Sequence, residues 1–89
     1  MELLKVSSKS NPNNVAGAIS NYIKENESID VQVIGAGAIN QLIKAIIISR
    51  GFLAPHGINI ACIPSFVDIK INEEEKTGVK FSIVKLEKY

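Results

Sequence analysis

Two short stretches of this chain carry the residue types that could do chemistry. Ser7-Ser8-Lys9-Ser10-Asn11 sets one ammonium among three hydroxyls and an amide. Those groups suit contact with a nucleic-acid backbone, because lysine supplies charge while hydroxyls and amides supply hydrogen bonds to phosphate oxygens. Further on, Val33-Ile34-Gly35-Ala36-Gly37-Ala38-Ile39-Asn40-Gln41 reads as a strand passing through a Gly-x-Gly turn into a helix. Bare backbone N–H groups at a helix start favour an anion such as phosphate. The same glycines also serve a tight turn and close packing with no ligand at all. Asn40 and Gln41 follow the turn, with Lys44 one helical turn on, and together they could read an amide, a base edge or a phosphate. The pattern is not a dinucleotide fingerprint, since Asn40 stands where the third glycine would be and the chain is too short for that fold.

The remaining reactive residue types argue against catalysis. The one histidine, His56, sits in an Ala54-Pro55-His56-Gly57 turn with no second metal ligand beside it. The one cysteine, Cys62, lies in an apolar strand without a basic neighbour to lower its pKa, and reads as core packing. No nucleophile–base set is assembled from one histidine and one cysteine. No metal and no cofactor is therefore expected. Arg50 complements the C-terminal dipole of the helix that follows the glycine turn. Glu73, Glu74 and Glu75 read as a solvated reversal that also blunts a hairpin against edge-to-edge pairing.

Length and composition bound what can position these groups. At 89 residues, with 46% hydrophobic and 21% charged residues, the chain reads as one globular domain spanning residues 1–89. So short a chain buries only ~60% of its unfolded surface, and oligomerisation is a natural route to stability. The formal net charge of +1 is low for a nucleic-acid binder, so any such contact is local or shared between subunits. Met1 to Val6 lacks the pattern of a signal peptide, and the longest near-apolar run, Ala45 to Ile48, is too short to span a bilayer. The expectation is a cytoplasmic protein without a membrane segment.

The elements follow from periodicity. Leu3 to Val6 is a first strand. Ser10 or Asn11 caps a helix, with Pro12 at its first position. Val15, Ala18, Ile19, Tyr22 and Ile23 fall on one face of that helix, which ends in solvent at Lys24 to Glu27. Ile29 to Ile34 is a second strand, with Val31 and Val33 alternating against Asp30 and Gln32. A second helix runs from about Ala38 to Ser49, with Gly51 placed as its C-terminal cap. Ile58 to Ile71 is extended and broken near Pro64. Asn72 to Glu75 reverses the chain, and Val79, Phe81 and Ile83 alternate in a last strand. The order β-α-β-α-β-β predicts an α+β two-layer sandwich, a four-stranded mixed sheet with two helices on one face. Ile39, Leu42, Ile43, Ile46 and Ile47 cover more than one face of the second helix, which predicts a subunit interface there.

Several blocks resemble the bacterial stage V sporulation protein S family: Lys5 to Ser10, Pro12, Val15 to Ala18, Ile34 to Gln41, Lys44-Ala45, Arg50-Gly51-Phe52, Ala54-Pro55 and Ile63 to Phe66. The resemblance covers nearly the whole chain in order. That family is similar in fold to the archaeal Alba chromatin and RNA-binding proteins, which dimerise and bind nucleic acid. The resemblance implies that Lys9 faces nucleic acid, since it holds the place of a lysine before the first Alba helix. Gly35 to Ala38 carries no charge where Alba has arginines, and Glu73-Glu74-Glu75-Lys76 is acidic where Alba hairpin arms are basic.

The implied function is a non-enzymatic regulatory role in sporulation or development, with DNA or RNA bound through backbone phosphates by a homodimer or tetramer. Lys9, Ser8, Ser10, Asn11, Gly35, Gly37, Asn40, Gln41 and Lys44 form the expected contact set. Two alternatives remain open: a protein–protein interaction module, and a sensor holding a small anionic nucleotide at Gly35 to Gln41.

Overall fold

A computed structural model describes residues 3–86. The chain forms β1 (Leu3–Lys5), α1 (Pro12–Glu25), β2 (Ser28–Val33), α2 (Ala36–Leu53), a 3₁₀ turn (Ala54–His56), β3 (Ile60–Ile71) and β4 (Glu74–Lys85). The sheet order is β1-β2-β4-β3. β1 and β2 are parallel, while β4 runs antiparallel to both β2 and β3. This is the expected mixed sheet.

Helix α1 starts where its capping chemistry dictates. The Asn11 side-chain oxygen accepts from the backbone N–H groups of Asn13 at 2.9 Å and Asn14 at 3.2 Å. Pro12 follows, at a position where a missing N–H costs nothing. Its buried face is Val15, Ala16, Ile19, Ser20 and Ile23. Ala18, expected on that face, is exposed. The apolar stripe is rotated because α1 packs on α2 as well as on the sheet. The small Ala16 and Ser20 occupy that side, where the Ser49 hydroxyl donates to Ala45 O at 2.8 Å and lies 3.3 Å from Ala16 O.

β2 alternates buried and half-buried residues along its whole length, as a strand with one covered face must. Ile29, Val31 and Val33 join Phe81 and Ile83 of β4, and Ile19, Ile23, Leu42 and Leu53 of the helices, in one core. Burying each large aliphatic side chain of this kind contributes about 1.5–3 kcal/mol before entropy is counted.

Element ends differ by one or two residues from the sequence expectation throughout, and three larger differences have physical causes. α2 continues past Ser49 and Gly51 to Leu53, because Leu53 is fully buried and its packing holds the last turn in place. Gly51 is thus a helix-interior residue. The left-handed position falls instead to Gly57, at φ +70°, whose N–H donates to Ala54 O at 2.9 Å. β3 is not broken at Pro64 but runs unbroken for 12 residues. Pro64 pairs opposite Phe81 on an edge strand, where a lost donor is tolerated. Finally, the hairpin turn is only Asn72-Glu73, at φ +50° and +67°, while Glu74 and Glu75 are already paired with Ile71 and Lys70.

Gly78 of β4 is needed for close approach. A Cβ there would lie 2.6 Å from Ile69 Cδ1 and 2.8 Å from the Val33 carbonyl oxygen. The Ile69 side chain therefore lies across bare backbone beside Ile34. Gly78→Ala should destabilise the protein by about 1–3 kcal/mol through overpacking, read as a lower midpoint in chemical denaturation. An unchanged midpoint would show that β4 shifts freely at this point.

Candidate nucleic-acid interface

Parallel pairing of β1 and β2 sends the loops after both strands out at the same edge of the sheet. The Ser7–Asn11 loop and the Gly35–Gly37 turn therefore meet. The loop is internally braced: Ser7 N–H donates to Ser10 Oγ at 2.9 Å, Lys9 N–H to Ser7 Oγ at 3.2 Å, and Ser10 N–H to Ser7 O at 3.1 Å. It is also tied to α2, since Gln41 Nε2 donates to Ser10 O at 2.8 Å. A Cβ on Gly37 would stand 2.8 Å from Ser8 Cβ, so glycine is what lets the loop and helix touch. Gly35 takes φ +90° and caps α2 without a side-chain hydrogen bond, which leaves first-turn N–H groups open to solvent or an anion.

The expected contact residues thus fall into two groups. Lys9, Ser8, Asn40 and Lys44 are exposed at this edge, as are Gly35 and Gly37. Ser10, Asn11 and Gln41 spend hydrogen-bonding groups inside the protein, on the loop brace, the α1 cap and the loop-to-helix tie. They position Lys9 and Ser8. The Asn11 cap was readable from the sequence, whereas the loop brace and the Gln41 tie depend on contacts that spacing does not show.

The expected interface on α2 divides as well. Leu42 is fully buried in the core and is corrected to a packing residue. Ile39 and Ile46 are half-buried against that core. Ile43 and Ile47 remain 40% and 63% exposed.

Cys62 is half-buried on β3, and burial raises its thiol pKa, which disfavours the nucleophilic thiolate. His56 is exposed in the 3₁₀ turn. Among the described residues, no group of His, Cys, Asp and Glu gathers as a metal site. No helix there is long and apolar enough to cross a membrane.

Sequence reasoning missed a groove of about 670 Å³ at the same edge, on the sheet side of the loop, with Lys5, Gln32, Ile34, Ile69 and Ile71 among its walls. The alternation in β2 hinted that Gln32 faces away from the core. The neighbours that close the groove depend on cross-strand register, which no single strand encodes.

Four strands and two helices in this order, with an exposed lysine loop against the start of α2, define a small two-layer module of the Alba type. The structure is similar to that of Alba from Thermoplasma volcanium, with a TM-score of 0.63 at 12% identity, covering 97% of this chain and 100% of that one. At that identity the likeness is one of fold. The sequence model of stage V sporulation protein S matches residues 2–86, and the chain belongs to that family, with the sporulation-related role the family carries.

The Gln41 tie is directly testable. Gln41→Ala should speed amide exchange at Lys9 and Ser10 by about three- to tenfold, the equivalent of one net hydrogen bond. Unchanged exchange would mean that the loop holds its shape without α2.

Proposed function

We propose that this protein binds nucleic acid without catalysing a reaction on it, through backbone phosphates, and that this binding serves its sporulation-related role. One observation carries the reading: a braced loop, fixed to α2 by Gln41, presents the exposed Lys9 beside an uncapped helix start. Lys9 supplies the charge. Ser8, Asn40 and the first-turn N–H groups of α2 supply hydrogen-bond donors, and Lys44 adds a second cation one turn along. Because the loop is held before binding, little ordering entropy is lost on contact. The acidic residues beside the hairpin turn, Glu74 and Glu75, repel phosphate and keep the footprint away from the hairpin tip.

With few phosphates contacted per chain, a single copy binds modestly, and assembly multiplies the footprint. Ile43 and Ile47 are the exposed apolar residues of α2 that suit a homodimer or tetramer contact, flanked by Ile39 and Ile46.

A protein partner is the second reading. It is favoured by Phe66 and Ile63 on edge strand β3, which are 84% and 59% exposed.

Fluorescence anisotropy of labelled duplex DNA, single-stranded DNA and RNA at several salt concentrations tests both. Lys9→Ala should weaken binding about equally across sequences and reduce the salt slope by about 1, as expected for a lost phosphate contact. Unchanged affinity would remove Lys9 from the site. Absence of binding at low salt would select the protein-partner reading.

A further inference from the structure

The face of the sheet turned away from the helices carries an unusual polar row. Register places Lys5 of β1 beside Gln32 of β2, Gln32 beside Lys80 of β4, and Lys80 beside Ser65 of β3. Directly paired residues share a face, so two lysines flank one side-chain amide, about 10 Å apart at the backbone. Their long flexible stems can bring both ammonium groups over Gln32. Among the described residues, neither lysine has a carboxylate partner and the Gln32 amide has no hydrogen bond. In the adjacent row, Asp30 is already engaged, accepting from the Ser82 hydroxyl at 2.9 Å.

The Lys5–Gln32 end of this row opens into the groove of about 670 Å³, which lies within the size range of small-molecule sites, and Lys80 stands one strand further along the same face. Lys5, Gln32 and Lys70 line it directly, and Ile34, Ile69 and Ile71 wall it with aliphatic surface. Bare Gly78 seats Ile69 in that wall. The groove sits beyond the carboxyl ends of the parallel pair β1 and β2, where open sheets place their ligands.

We propose that this groove is a binding site for a small organic phosphate of mononucleotide size. Lys5 and Lys80 neutralise the phosphate. The aliphatic wall takes the flat apolar face of the base, and the Gln32 amide, donor and acceptor at once, meets the base edge. A simple fatty acid would leave the Gln32 amide unpaired. The site goes beyond the nucleic-acid reading and needs neither Lys9 nor Lys44.

Titration with adenosine 5′-monophosphate, ribose 5-phosphate and inorganic phosphate, followed by amide NMR shifts and thermal unfolding, tests the proposal. The nucleotide should shift amides at Lys5, Gln32 to Gly35 and Ile69 to Ile71, raise the unfolding temperature, and bind more tightly than either phosphate lacking a base. Lys5→Met with Lys80→Met keeps the stems, removes both charges, and should weaken the nucleotide by about tenfold or more. Gln32→Leu should reduce the preference over ribose 5-phosphate, leaving the part that the aliphatic wall contributes. Lys9→Ala should leave nucleotide binding intact, which separates this site from the interface above. The proposal is overturned by no shift at millimolar nucleotide, by equal binding of inorganic phosphate, by undiminished binding in the double lysine variant with its fold retained, or by an oligonucleotide occupying the row where the mononucleotide does not.

Discussion

The parallel pairing of β1 with β2 through α1 is the constraint on which the rest of this structure depends. Parallel neighbours end at the same edge, so the loop leaving β1 and the turn leaving β2 emerge side by side, and both helices begin there. A six-residue strand such as β2 spans roughly 20 Å. Reversing either strand would put the Ser7–Asn11 loop and the Gly35–Gly37 turn on opposite edges, with no shared surface. The contacts that join loop and helix at this edge follow from that adjacency. Gly37 admits Ser8, and Gln41 reaches Ser10. The backbone that carries the exposed Lys9 is thereby braced and tied to α2.

The second constraint is the division of labour on α2. Ala38, Leu42, Ala45, Ser49 and Leu53 are buried, while Ile43 and Ile47 are left outside. The small residues Ala45 and Ala16 allow the two helices to approach, and Ser49 satisfies its buried hydroxyl on backbone carbonyls. A helix this apolar has more surface than a four-stranded sheet and one neighbouring helix can cover. Exposed isoleucines in an 89-residue chain are a standing cost unless another surface meets them, and that is the physical basis for reading the protein as part of an assembly.

Much of this was legible in the sequence, for local reasons. Asn11-Pro12 is a cap followed by a residue preset for helix, and the structure uses both. Asp30 and Gln32 alternate with apolar neighbours, and β2 keeps that alternation throughout. The element order gave the mixed sheet. What was not legible depends on contacts distant in sequence. Gly51 has the residue type of a cap, yet Leu53 is drawn into the core beyond it and Gly57 takes the left-handed position. Pro64 looked like a break, but an edge strand needs no donor there. Leu42 was one of five apolar residues with equal claim to an interface until packing buried it. The row from Lys5 to Ser65 exists only through register, since its members come from four different strands.

The edge formed by the loop after β1 and the start of α2 is the surface proposed to meet phosphate. The most direct measurement is amide chemical-shift mapping of the protein titrated with a short DNA duplex at low salt. The predicted result is a set of shifts confined to Ser8–Asn11 and Gly35–Lys44, reversed by added salt, with Asn72 to Lys76 at the hairpin tip unmoved. Shifts confined to the hairpin or to the β3 edge, or none at all, would contradict it.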